Sequence, residues 1–192
     1  MLWSKVFFAI TAFIATVLTV SPARSEQKIQ NLQDGNYKFC SIPPPQETLT
    51  EEEFFIQLQT NNPTCFLFNK QGDIVVGDLY TTQTFGEDGI CVGGKVNNNT
   101  LSGKASVTFY EGADYVKINT EEAIQSTRKY WLEKQVLSIT ESEYFSENVE
   151  FPYVVFKSAL LNLNGFYRYR AGTKLPSSSC MFKLLQTSAK VR

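Results

Sequence analysis

Between Cys65 and Tyr110 the chain alternates hydrophobic and polar residues with a period of two. From Thr100 to Tyr110, the apolar or small residues Leu101, Gly103, Ala105, Val107 and Phe109 take turns with Thr100, Ser102, Lys104, Ser106, Thr108 and Tyr110. Successive side chains of a strand point to opposite faces, so this pattern predicts one buried and one wet face. Just upstream, Ile90, Val92, Gly94 and Val96 alternate with Cys91, Gly93, Lys95 and Asn97. Asn98-Asn99 joins the two runs, and Asn tolerates the positive φ that a two-residue hairpin loop requires. That turn sets Val96 opposite Leu101 and Lys95 opposite Ser102, aligning the apolar faces. A second pair is predicted from Cys65-Phe66-Leu67-Phe68 and Ile74 to Tyr80, turned at Gln71-Gly72. Phe85 to Gly89 is a loop by composition.

Around this centre the signals are shorter. Asn31 to Gly35 is turn-like, and Asn36 to Cys40 alternates as a short strand. Pro43-Pro44-Pro45 leaves the sheet, because proline cannot donate to a ladder. Thr50 with Glu53 forms a capping box for a helix to about Gln59, with Phe54, Phe55 and Leu58 as its buried stripe. A strand placing Phe54, Ile56 and Leu58 on one face is the competing reading. Asn119 and Glu122 offer a second capping pair for a helix from about Thr120 to Glu133, with Ile124, Thr127 and Trp131 on one side; extended chain from Tyr130 to Ile139 is the alternative. Residues 141–150 are acidic and loop-like. Phe151 to Lys157, Leu161 to Arg170 and Cys180 to Leu185 are predicted strands. The fold expected is mainly β: an antiparallel meander forming a small barrel or curved sheet, with one or two short helices packed on it.

The first 25 residues change the picture of where this fold works. Lys5 precedes an apolar run over residues 6–20, and Ala23 and Ser25 supply small residues for cleavage. This predicts a cleaved signal peptide, residues 1–25, since the run is shorter than the ~20 residues of a membrane span. A single domain over residues 26–192 follows, long enough for a real core. Of 18 basic residues, Lys5 and Arg24 leave with the leader, so 16 remain against 19 acidic ones. That balance gives no basis for nucleic-acid binding.

An exported chain with four cysteines is expected to make two disulfides from Cys40, Cys65, Cys91 and Cys180. If the strands of Cys65 and Cys91 flank a common neighbour they lie about 9.6 Å apart. A disulfide needs Cα atoms within about 7 Å, which disfavours Cys65–Cys91. Cys40–Cys65 with Cys91–Cys180 is the expected arrangement of the two that remain.

The chain has no His, which removes the commonest general base and metal ligand. It has no Cys-x-x-Cys and no phosphate-cradling Gly-rich loop. No catalytic residue, cofactor or metal is therefore expected. Carboxylates remain: Glu87 and Asp88, with Asp73 and Asp78 nearby in sequence, would have to share one pocket to act as an acid/base pair or bind a cation. Glu51, Glu52 and Glu53 suit a helix N-terminus. Tyr167-Arg168-Tyr169-Arg170, with Lys174 behind, sets two Arg on one strand face and two Tyr on the other. Such Arg pairs grip carboxylate, sulfate or phosphate, so these five residues are the candidate ligand site. The bland reading is Tyr packed inward and Arg in water. Asn98-Asn99-Thr100 is a formal glycosylation sequon, though those residues already serve the turn.

At Asp34-Gly35-Asn36-Tyr37-Lys38-Phe39-Cys40, Cys65-Phe66-Leu67-Phe68, and Leu161 to Tyr169 before Cys180, the chain resembles uncharacterised exported proteins of cyanobacterial type. The likeness covers most of residues 26–192 and implies export without implying an activity. A looser likeness of fold class, to lipocalin-like small barrels, has Gly35-Asn36-Tyr37 where those proteins carry Gly-x-Trp. The function expected is that of an exported, non-enzymatic β-domain, periplasmic or secreted, binding a small ligand or a partner protein. A carboxylate-dependent extracytoplasmic hydrolase, or an exported inhibitor or assembly factor, is the alternative.

Overall fold

The structure, a computed structural model, describes residues 28–44, 53, 56, 60–81, 89–108, 120–145, 153–169, 175–178 and 180. Eight strands form one antiparallel sheet: β1 (Gly35–Cys40), β2 (Thr64–Gln71), β3 (Ile74–Thr81), β4 (Ile90–Asn97), β5 (Thr100–Thr108), β6 (Leu137–Phe145), β7 (Tyr153–Asn162) and β8 (Tyr167–Tyr169). Their spatial order is β6-β7-β5-β4-β3-β2-β1-β8. A helix, α1 (Thr120–Glu133), separates β5 from β6. The central ribbon is the one the alternation describes, since Val96 pairs with Leu101 and Lys95 with Ser102. Asn98 takes φ 55° at that turn.

The sheet is not closed into a barrel: its ends, β6 and β8, do not pair. Of the two forms expected, a curved sheet is the one adopted.

One face of the sheet carries the core. Phe66, Phe68 and Phe156 are fully buried, and Phe66 stacks on Phe68 with ring centroids 5.0 Å apart. Tyr37 and Phe39 of β1 lie against Phe68 at 5.6 and 5.7 Å. Ile124 and Trp131 of α1 close over this face, with the more exposed Thr127 between them, on the helical spacing expected. The N-terminal 3-10 turn Ile29–Asn31 is clasped to the β4–β5 loop. Buried Asn99 accepts the Ile29 N–H on Oδ1 at 2.8 Å, and its carbonyl accepts the Leu163 N–H at 2.9 Å. Beyond its place in the turn, Asn99 therefore has a second task as the knot joining three segments.

Several boundaries differ from expectation, each for a physical reason. The β2–β3 loop is Gly72-Asp73, not Gln71-Gly72, because Gln71 already pairs with Ile74. Gly72, at φ 59°, supplies the left-handed residue in the first loop position. Residues 141–145 are strand rather than loop, since pairing to β7 outweighs their acidic composition. Glu141 alone departs, at φ 50°. The two strands expected over 151–157 and 161–170 are instead one strand to Asn162, a turn with Gly165 at φ 80°, and the short β8. A β-bulge hides the continuity: Ala105 pairs with Phe156 whereas Gly103 pairs with Ala159, so Lys157 and Ser158 interrupt the alternation. Cys180 is helical, not the start of a strand, and its N–H bonds to Ser177 O at 3.0 Å. Of the helix expected over 50–59, Glu53 and Ile56 are helical, as are Thr60 and Asn61 beyond it; Phe54, Phe55 and Leu58 lie outside the described residues.

Candidate functional site

Three places on this sheet carry chemistry beyond its core. The first is the β8 edge. Lys38 pairs with Tyr169, Phe39 with Arg168 and Cys40 with Tyr167, so both tyrosines lie on the face opposite the aromatic core. The Arg168 guanidinium sits 5.0 Å over the Tyr37 ring, and Lys38 Nζ lies 5.5 Å from the Tyr169 centroid. The Tyr169 hydroxyl donates to the Ile42 and Pro43 carbonyls, at 3.1 and 2.8 Å, and so fastens the chain where it leaves β1. Arg170 and Lys174 lie outside the described residues, so of the candidate anion grip only Arg168 is placed, with its cation on a ring.

Burial pushes the Tyr169 phenol up to about 12. The unfolded phenol ionises near 10, so between roughly pH 10 and 12 the unfolded state releases a proton that the folded state keeps. The contribution is fully present below pH 10 and is lost as pH rises toward 12. An alkaline absorbance titration is expected to show a late phenol ionisation that Tyr169→Phe removes; an unchanged titration in that variant would contradict this geometry.

The second place is a transverse row on the face away from the core. Leu67 pairs with Asp78, Asp78 with Cys91, Cys91 with Ser106 and Ser106 with Val155, one residue from each of five neighbouring strands. This face was expected to be wet, yet Leu67, Cys91, Ser106 and Val155 are all buried. Segment 175–180 crosses here and is tied down by the Cys91–Cys180 disulfide, with Cα atoms 5.3 Å apart. Asp78 Oδ2 accepts the Ser177 N–H at 2.7 Å. The other bridge, Cys40–Cys65, joins directly paired positions of β1 and β2. Both match the expected arrangement, and β3 is the common neighbour separating Cys65 from Cys91. Desolvation and the Asp78 charge both raise the Tyr80 phenol.

The acid/base grouping is not assembled among the described residues. Asp73 pairs with Lys95 at 3.8 Å on the exposed turn, Asp78 serves Ser177, and Glu87 and Asp88 lie outside those described.

The third place is the free margin of β6, which the sequence did not single out. Among the described residues, no strand pairs with β6 on the side away from β7. The Asn162 N–H bonds to Val136 O at 2.8 Å, so positions 136, 138, 140, 142 and 144 turn their backbone groups toward β7. By alternation, Ile139, Glu143 and Phe145 turn theirs outward. Nothing in residues 137–145 could reveal this, because which strand ends a sheet is decided by distant pairings.

The gap between Ile29, Phe66, Val75, Asn99 and Leu163 is too narrow to admit a water molecule. Among the described residues, no helix is long and apolar enough to cross a membrane. No protein-family model, curated protein or solved structure matches this chain.

Proposed function

We propose that the chain is an exported, non-catalytic β-domain that holds a partner protein by adding an extended segment of that partner to β6. The observation carrying this reading is the outer margin of β6, where Ile139, Glu143 and Phe145 turn backbone groups outward and no strand among the described residues pairs with them. Unpaired N–H and C=O groups in a row are a template for another strand, and native sheets without such a use blunt them with Lys, Pro or short length. Strand β8, at three residues, is short in that way; β6 has nine residues without Lys or Pro, and its blunting is confined to Glu143 and to Glu141, which departs from the ladder at φ 50°. Packing favours a partner over a small ligand, because aromatic side chains fill the described core. Two disulfides are consistent with an oxidising compartment outside the cytoplasm, and residues 1–25 fit the leader that would take the chain there.

The test is native mass spectrometry of the mature protein purified from its own compartment, alongside Glu143→Pro. Proline at an outward position removes an edge donor while leaving the β7 ladder intact. A co-purifying polypeptide that the variant loses is the expected result. A bare monomer, a retained small molecule, or a partner that Glu143→Pro keeps equally well would contradict the proposal.

A further inference from the structure

The turn that leads from β7 into β8 exposes two neighbouring residues that can react with each other. Asn164-Gly165 is the one Asn-Gly pair in the chain. Leu163 O accepts the Phe166 N–H at 3.2 Å and Gly165 stands at φ 80°, which puts Asn164 and Gly165 at the centre of a type II turn. Both are exposed, while Leu163 before them is buried and Phe166 after them packs against the core. The Asn164 N–H is taken up by Asn162 Oδ1 at 3.0 Å. Among the described residues, nothing hydrogen-bonds the Asn164 side-chain amide or the Gly165 N–H. Beyond its chain neighbours, no atom lies within 4 Å of where a Gly165 Cβ would stand, so the space around this residue is open.

We propose that Asn164 is a site of self-modification, its side-chain amide being consumed by the backbone nitrogen of Gly165, and that the isoaspartate so formed loosens β8. The reacting atoms belong to neighbouring residues, so closing a succinimide ring needs only rotation about the bonds of Asn164, and a glycine in the next position has no Cβ to obstruct it. Asn162 is also exposed but lacks this freedom. Its Oδ1 holds the Asn164 N–H, and the nitrogen that would attack it, Leu163 N, donates to Asn99 O at 2.9 Å. Structure as well as sequence thus separates Asn164 from Asn162.

Solvent base takes the Gly165 N–H proton, the nitrogen bonds to Asn164 Cγ, the Cγ–Nδ2 bond breaks, and Nδ2, protonated by solvent, leaves as ammonia. Water then opens the imide. Attack at Cγ restores the normal chain with an aspartate, whereas attack at the Asn164 main-chain carbonyl carbon leaves the chain running through Cγ, as isoaspartate. Nothing is oxidised or reduced, and water is the only reactant added. Either product carries a negative charge where the amide was neutral. Isoaspartate also adds a backbone carbon between Leu163 and Gly165, inside the turn that the Phe166–Leu163 hydrogen bond closes. Strand β8, with three residues paired to β1, has little ladder to resist that displacement.

The experiment incubates the mature protein in mildly alkaline buffer and follows the tryptic peptide 158–168, which contains both asparagines, by mass spectrometry with fragmentation that separates aspartate from isoaspartate. Asn164 is expected to show the mass change of ammonia lost and water gained at least tenfold faster than Asn162, with isoaspartate among the products. A chain that keeps Asn164 intact, equal modification of Asn162, or aspartate without isoaspartate would overturn the proposal. Amide hydrogen exchange tests the effect on the sheet. The isoaspartate form, separated by chromatography, is expected to exchange its β8 amides at least tenfold faster than fresh protein. Asn164→Asp has the charge without the added carbon and is expected to exchange them as fresh protein does. Unaltered β8 exchange in the isoaspartate form, or equal loosening in Asn164→Asp, would refute the effect on β8.

Discussion

Replacing Cys91 and Cys180 together by Ala is expected to lower the unfolding free energy by about 4–5 kcal/mol, the largest effect of any bridge in the chain. The bond closes a stretch of 89 residues, against 25 for Cys40–Cys65. In the chain-entropy account the constraint on the unfolded state grows with the logarithm of that length, giving about 3–4 kcal/mol for the shorter loop. The ranking is the sharper test. Losing Cys91–Cys180 also cuts the covalent tie of segment 175–180 to β4, leaving the Asp78–Ser177 hydrogen bond among its remaining contacts. Losing Cys40–Cys65 leaves β1 and β2 paired along their whole length. Urea unfolding of the two double variants measures both; a smaller loss for Cys91/Cys180 than for Cys40/Cys65 would contradict the arrangement.

Phe66→Ala is expected to cost about 3–5 kcal/mol, from lost transfer free energy and from the cavity left behind. Phe66 is 0% exposed and stacks on Phe68, and it also lines the narrow gap beside Asn99, so truncation enlarges a place where packing is already incomplete. The control is Leu160→Ala. Leu160 is 50% exposed on the other face, and its truncation is expected to cost under about 1 kcal/mol. Similar losses for the two would mean that the core lies on the wrong face of the sheet.

The residues differ in how much they disclosed beforehand. Thr100 to Thr108 were legible because burial on one face leaves a period of two in the sequence, and the Asn98-Asn99 turn fixes register locally. Leu137 to Phe145 were only partly legible, because Glu141 and Glu143 look like loop until Val155 and Phe156 of β7 are known to lie alongside. Lys157-Ser158 disguised β7 as two pieces, since a bulge breaks alternation without ending a strand. Strand spacing spoke against one of the three disulfide arrangements and left two, of which the structure adopts the expected one. Chemistry was least legible. Asp78, Cys91, Cys180 and Ser106 meet only because four distant stretches converge on one face. The margin of β6 is a property of topology and leaves no mark on its own residues. Tyr167 to Tyr169 stood out in the sequence, and the structure places Arg168 on Tyr37 and Tyr169 on the turn after β1.

Residue-resolved amide hydrogen exchange along β6 in the isolated mature protein tests the central claim most directly. The account predicts alternation: Ser138, Thr140, Ser142 and Tyr144, bonded to β7, exchange slowly, while Ile139, Glu143 and Phe145 exchange fast until a partner strand binds. Uniform protection of all these amides in the free monomer would mean that this margin is already covered, and the proposed docking edge would not exist.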